Sequence, residues 1–447
     1  MSFWLFVGEI SFLVLIGFFF TFTLYSYREK EEKAFQSSLL FLLGLIVVNI
    51  LFLIMPGLVR NLLFLTMFLA TSAAVFILFF STSPSSGTKI IGEQKKVDER
   101  DTIFSRFEHR EKSKNYNDYY SLRPEYKTVD DEIRVLPDIL TPEHTKKDPV
   151  LFSLAAAEDD YLKNFITLVS GEVKTEKMEM SPFDNTQKVK KIIKYLGADI
   201  CGVCELDQAY VYSHVGRGPE PFGAEIHLKH KYAIVFAMEM ERRMIAASPK
   251  PPVLVETERM YVEVAKVAII VSALIRRLGY EARAHIAGSN YQAILPPLAW
   301  KAGIGEIGRI GILITEKYGP RVRLGLITTN LPLTPDTPKA FGVQDFCRKC
   351  KKCANNCPAQ AIPFGDKTEE NGVLKWVLNR EGCYRFWRKA GTDCAMCLYV
   401  CPYSKPRNWF HDSVRKLNSQ SSTAQAVSLW ADDYFYGRIP LPKEPPF

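Results

Sequence analysis

Histidine is scarce in this 447-residue chain. There are seven, at 109, 144, 214, 227, 230, 285 and 411, and none sits in an HExxH pair. That excludes the helical zinc-hydrolase motif. An excess of one charge is also missing: 57 Lys+Arg stand against 49 Asp+Glu, a net +8. No basic stripe is interleaved with aromatics, so no nucleic-acid partner is expected. No repeat at a period of about 20–50 residues recurs, which excludes a solenoid. Outside Cys347–Cys401 only Cys201 and Cys204 occur, too few for a disulfide framework. At 47% hydrophobic, 12% aromatic and 24% charged, the chain has the composition of folded domains. Its length implies two or more.

Apolar sequence is abundant at the start. Phe3–Tyr25 is broken only by Glu9 and a few hydroxyls. Phe41–Met55 is apolar apart from Asn49 and extends back to Ser37, and Leu62–Phe80 is a third run. Each approaches the roughly 20 residues that cross a bilayer as a helix. Buried core helices are the competing reading, and the sharp polar borders favour the membrane. A cleaved signal peptide would begin with a basic region and carry one short run, and neither holds here. No twin-arginine export signal is present. Arg28, Lys30 and Lys33 lie in the first loop, Arg60 alone in the second, and Lys89, Lys95, Lys96 and Arg100 after the third run. The positive-inside rule then predicts a three-helix, multi-pass anchor over 1–81 with the N-terminus outside. Everything after residue 81 faces the cytoplasm, where a reducing environment suits thiolate ligands.

Ser81–Gly87 (STSPSSG) reads as a linker. Residues 82–150 are expected to form this linker and an extended arm that wraps a domain. Helical and strand patterns then alternate over 151–340, which predicts an α/β layer fold. Gln187–Leu196 and Tyr261–Leu278 carry helical apolar faces, each closed by a glycine. Ile200–Leu206, Tyr232–Ala237, Ile310–Thr315 and Val322–Thr328 read as strands.

The cysteines carry the chemistry. The first array is Cys347-x2-Cys350-x2-Cys353-x3-Cys357-Pro358, the second Cys383-x10-Cys394-x2-Cys397-x3-Cys401-Pro402. The first matches the run that holds a [4Fe–4S] cluster and lends its fourth cysteine to a second one. Cys347, Cys350, Cys353 and Cys401 are therefore assigned to one cluster, and Cys357, Cys383, Cys394 and Cys397 to the other. Residues 341–447 become a ferredoxin-like two-cluster module with a C-terminal tail. A pair of structural zinc sites is the alternative, but zinc sites seldom use this spacing. Cys201 and Cys204 read as buried small hydrophobes, since residues three apart in a strand face opposite sides. Gly303-Ile-Gly305-Glu-Ile-Gly308 fits the dinucleotide fingerprint but has a helical pattern before it and a strand after it, the reverse of what that site needs. Close approach of the backbone to a large flat ligand, or to a neighbouring strand, explains these glycines better.

These pieces together resemble the reductive dehalogenase family. The likeness runs from about Asp101 onward and is most specific at Asn290–Ala299, Ala302–Arg309 and Tyr318–Leu324, followed by the two cysteine arrays. The epoxyqueuosine reductases share the Ala-Gly-x-Gly-x-x-Gly stretch and the paired clusters. The resemblance implies a nitroreductase-like α/β domain over 151–340 that holds a cobamide and a halogenated organic substrate. It also implies reductive cleavage of a carbon–halogen bond with electrons delivered through two [4Fe–4S] clusters. The absence of Asp-x-His-x-x-Gly agrees with a family that binds the corrinoid without a histidine on cobalt. Tyr261 is implied as proton donor, with Arg323, or failing that Arg321, as its cationic partner. Asn290 is implied as a polar position near substrate, and Gly288, Asn290, Tyr291, Gly303 and Gly305 as cofactor-binding positions. Quinol, ferredoxin or flavodoxin would supply electrons, and a homodimer is compatible with the sequence. Respiratory members carry a twin-arginine signal and a separate anchor protein, whereas this chain has its own inward-facing anchor. Two other functions compete: a membrane iron–sulfur electron carrier without corrinoid, and an enzyme like epoxyqueuosine reductase. The second would need an acidic donor where Ser289-Asn290-Tyr291 stands.

Overall fold

The computed structural model describes residues 3–79, 84, 87–288 and 291–445. The chain divides into two compact units, Met1–Ser85 with Arg407–Pro440, and Ser86–Pro406 with Leu441–Phe447. The first unit contains helices Phe3–Arg28, Glu32–Ile54 and Gly57–Phe79, together with Trp409–Gln420 and Ser422–Tyr436. Two helices, Phe6–Arg28 and Glu32–Ile54, are long and apolar enough to cross a membrane, while the third offers the shorter apolar stretch Gly57–Ala73. Phe12, Phe52 and Phe64 knit the three together, with ring centroids 5.1 to 6.1 Å apart. Most of the Ser81–Gly87 linker lies outside the described residues.

The second unit is built on a four-stranded sheet in the order Ile200–Glu205, Tyr232–Glu239, Val322–Thr329, Ala282–His285, every pair antiparallel. Ile234, Phe236 and Met238 face a core shared with Val264, Ala268 and Val271 of helix Pro252–Arg277. Ala233, Val235 and Ala237 face a second core with Leu298 and Ala299. Both faces of the central strand are covered, so its sequence is an unbroken apolar run and not an alternation. Each large side chain buried there contributes about 1.5–3 kcal/mol.

Three expectations change. The long helix begins at Pro252, nine residues before Tyr261. Its proline at the first turn needs no hydrogen-bond partner for a missing N–H. The strand expected over Ile310–Thr315 shrinks to Leu313–Ile314 because the Gly311 N–H closes a turn on the Gly308 carbonyl. The arm is not extended: it folds into short helices at Ile103–Glu108, Lys114–Leu122, Pro124–Arg134 and Pro142–Thr145. A buried ion pair takes the place of an apolar stripe. Arg106 forks onto both oxygens of Asp130 and reaches Glu381 at 2.7 Å, and Tyr120 donates to Asp130 at 2.8 Å. Arg106 is 2% and Asp130 0% exposed, so removing either strands a charge away from water. Asp130→Ala should lower unfolding stability by about 3–5 kcal/mol. Removing the exposed partner in Lys163–Asp159 should cost under about 1 kcal/mol. Parallel denaturant titrations compare the two.

Candidate functional site

The two cysteine loops repeat one local design. Lys351 (φ 53°), after Cys350, and Ala395 (φ 50°), after Cys394, both adopt left-handed backbone. A four-residue helix follows each, Lys352–Asn355 and Met396–Tyr399. The Cys-Pro pairs 357–358 and 401–402 come next. A left-handed residue reverses the chain sharply, which turns successive cysteines toward one point. Cys347, Cys350, Cys353 and Cys401 line one cavity with Ile310, Ile314, Phe346 and Tyr403. Burial, and then the charges of Cys347, Cys350 and Cys353, push the Cys401 thiol far up. Cys357, Cys383 and Cys394 act in the same way on Cys397, as does Cys353.

Among the described residues no three His, Cys, Asp or Glu side chains converge on a point suited to one metal ion. Zinc holds sulfur at about 2.3 Å from a single centre. Thiols spaced around a cavity suit a larger group, and a cluster's irons would stabilise the thiolates that burial alone disfavours. Arg309, which spacing does not single out, closes the first loop. Its guanidinium is buried and donates to the carbonyls of Cys347 (3.0 Å), Pro363 (2.6 Å) and Gly365 (2.9 Å).

A second polar group forms where the sheet meets the long helix. Val322 and Leu324 pack into the core beside Leu298, so Arg323 between them points the other way, toward helix Pro252–Arg277. Its Nη1 donates to the Tyr261 hydroxyl at 3.2 Å, and its guanidinium carbon lies 4.3 Å from the Tyr261 ring centroid. Its Nη2 donates to Thr257 Oγ1 at 3.0 Å, and the Thr257 hydroxyl donates in turn to Asp393. Thr257 and Tyr261 are one helical turn apart, which is why one cation reaches both. Burial pulls the Arg323 pKa down, but Tyr261, Asp393, Tyr291 and Glu258 outweigh it, so the guanidinium stays charged. Arg321 points elsewhere, to the Met240 carbonyl and to Glu239 at 2.7 Å, which leaves Arg323 as the partner of Tyr261.

Tyr212, Tyr291 and Arg323 lie deep in the domain, yet each keeps some surface accessible. Arg323 Nε and Asp393 Oδ1 are buried without a hydrogen-bond partner, donor and acceptor capacity that a polar group could use. A Cβ at Gly288 (φ 76°) would meet only ordinary contacts, 3.9 Å or more away. Ser289 and Asn290 fall outside the described residues.

Gly303 and Gly305 are explained by the chain's own backbone. A Cβ on Gly303 would lie 2.4 Å from the Thr337 carbonyl oxygen, and one on Gly305 2.5 Å from that of Ile314. Of the two reasons for these glycines, approach to neighbouring backbone is the one these contacts display. Cys201 and Cys204 have their thiols pushed up to about 12 by burial, as small apolar residues would.

These features define an iron–sulfur protein on a mixed α/β fold. Residues 346–405 match the family model for a 4Fe-4S dicluster domain. The tetrachloroethene reductive dehalogenase of Dehalobacter restrictus is 34% identical over 300 residues, 56% of this chain and 53% of that protein. A solved reductive dehalogenase, described as suggesting a mechanism for B12-dependent dehalogenation, superposes with a TM-score of 0.65 at 25% identity. It covers 81% of this chain and 50% of that one. The catabolic reductive dehalogenase NpRdhA in complex with 3-bromo-4-hydroxybenzoic acid gives 0.65 and 25% over 80% and 49%. A shorter likeness joins the epoxyqueuosine reductase of Lactococcus garvieae, 30% identical over 136 residues, 28% of this chain and 38% of that protein. The chain spans about half the length of the curated dehalogenases it matches. Over more than half of its own length it is a homologue of the reductive dehalogenases.

Glu258 provides a pH test of this neighbourhood. Burial, then Asp159 and Asp393, push its carboxyl up to about 8 against Arg323. An acid raised in the fold keeps its proton where the unfolded chain has lost it, so stability falls as pH rises from about 4.5 to 8. Glu258→Gln should therefore raise the unfolding midpoint at pH 8 and leave it unchanged near pH 4, as measured by thermal scans at both values.

Proposed function

We propose that this chain is a membrane-anchored, corrinoid-dependent reductive dehalogenase that replaces halogen by hydrogen on an organic substrate. The observation that carries this reading is the Arg323–Tyr261 pair. It is tied through Thr257 to Asp393, the residue before Cys394. Cys347, Cys350, Cys353 and Cys401 would hold one [4Fe–4S] cluster, and Cys357, Cys383, Cys394 and Cys397 the other. Gly288 and Tyr291 would lie against the cobamide, with Asn290 near the substrate. A bound corrinoid supplies a reduced cobalt able to cleave a carbon–halogen bond, and the clusters supply its electrons.

The net change takes up two electrons and one proton, releases halide and leaves a C–H bond. The protein's own part is the proton. Tyr261 Oη donates it to the carbon that has lost halide. Arg323 donates a hydrogen bond to the same oxygen and would stabilise the phenolate that remains. Thr257 accepts a hydrogen bond from the guanidinium and so holds it in place. The antiparallel sheet with helices on its faces is read as nitroreductase-like. The N-terminal helices are read as a three-span anchor with the catalytic domain facing the cytoplasm. There a quinol, ferredoxin or flavodoxin would deliver electrons.

Reconstitution with iron, sulfide and cobalamin should yield one cobalt per chain. Filled clusters without cobalt would favour an electron carrier and sink the proposal. In the loaded protein Tyr261→Phe should cut dehalogenation by about 10²-fold or more, the usual worth of a general acid. Full activity in that variant would remove Tyr261 from the reaction. Cys401→Ser should lose the iron of one cluster, and Cys204→Ser should lose none, both read by elemental analysis.

A further inference from the structure

We propose that the C-terminal helical hairpin, Trp409–Gln420 and Ser422–Tyr436, is a membrane-interface element that binds phospholipid through Trp409, Trp430 and Tyr434. It belongs to the same compact unit as the N-terminal helices. Its contacts with them are deep. The Phe410 ring lies 5.3 Å from Phe18 and 4.9 Å from Phe22. Phe435 lies 4.9 Å from Phe22 and 5.9 Å from Phe41. Helix Phe3–Arg28 ends at Arg28, so Phe22 and Phe18 stand about 9 and 15 Å below its end at 1.5 Å per residue. Phe41 stands about 14 Å into the second helix, which starts at Glu32. The apolar span Phe6–Arg28 is about 35 Å long, little more than a hydrocarbon core of about 30 Å. Rings that touch it at those levels reach from the upper acyl chains, at Phe22, to near the middle of the hydrocarbon core, at Phe18 and Phe41.

Polarity is graded in the same direction. At the helix end Asn408 donates to Glu29 at 2.7 Å, and His411 Nε2 lies 3.3 Å from the other Glu29 oxygen. The outward face is aromatic. Trp409 is 52% and Trp430 64% exposed. Val427, Trp430 and Tyr434 share one helical face, and the Trp430 and Tyr434 rings stack at 5.7 Å. Nearby acids are paired or buried: Asp412 pairs with Arg415 at 2.7 Å, Asp433 with Arg438 at 3.0 Å, and Asp432 is buried, while Lys416 is exposed. Exposed Trp and Tyr beside apolar helices, with acids paired and a lysine exposed, are the pattern of a lipid–water boundary. Continuity with the two candidate spans identifies the occupant as a bilayer.

The inference rests on the membrane reading of the N-terminal helices, so the test separates the two. The full chain is reconstituted into phosphatidylcholine vesicles with and without brominated acyl chains, and flotation first reports whether it is anchored. Tryptophan emission of the wild type, Trp430→Phe and Trp409→Phe is then compared. The emission lost with each tryptophan should be blue-shifted, at least halved by brominated lipid and insensitive to aqueous iodide. Floated protein whose Trp430 emission responds to iodide and not to bromine would overturn the proposal while leaving the anchor standing. Insensitivity to both, with a dimer in detergent, would assign the face to a second copy and overturn it equally. Protein that does not float would remove the anchor and the proposal together.

Discussion

The Thr257 hydroxyl stands between the Arg323 guanidinium and the Asp393 carboxylate, and much of the second unit depends on that bridge. It joins three stretches far apart in sequence: the long helix, an inner strand of the sheet and the second cysteine loop. Each brings a demand the others satisfy. The strand presents a cation to an apolar interior, the helix supplies an acceptor one turn from a phenol, and the loop supplies a buried anion. A charge of this kind is tolerated in low dielectric only when paired and hydrogen-bonded. The geometry of the tyrosine is thus coupled to the geometry of the thiols.

The cysteine module shows a related economy. Two loops with left-handed residues at matching positions, followed by matching short helices, each present cysteines in one direction and send a Cys-Pro pair in another. Arg309 ties the first loop to the α/β layer through three carbonyls and lies 4.6 Å from the Trp376 ring centroid. Backbone carbonyls that a loop would otherwise leave buried are satisfied by this one side chain.

How far the sequence reaches depends on the kind of force involved. The strand at Tyr232–Glu239 and the helix at Pro182–Tyr195 are legible because burial on two faces, or on one stripe, leaves a periodic mark. The arm's mark is faint: its helices are held by Arg106, Asp130 and a cluster of tyrosines, and the helical spacing of Tyr116, Tyr119 and Tyr120 runs for a single turn among polar residues. Tyr261 and Arg323 are 62 positions apart, and only the family resemblance, not any local pattern, points to them. Thr257 and Asp393, 136 apart, carry no sequence mark at all. Asn290, which the same resemblance singles out, falls outside the described residues. The C-terminal hairpin reads as a tail because its mixed residues match neither a strand nor a long apolar span.

That hairpin has a consequence for biogenesis. The unit containing Phe22 is assembled from segments far apart in sequence, and Phe22, 3% exposed, packs against Phe410 and Phe435. A ribosome emits the first helices long before the last ones. During synthesis, nascent chains therefore carry an uncovered aromatic seam, and any product that stops before the final helices keeps it uncovered.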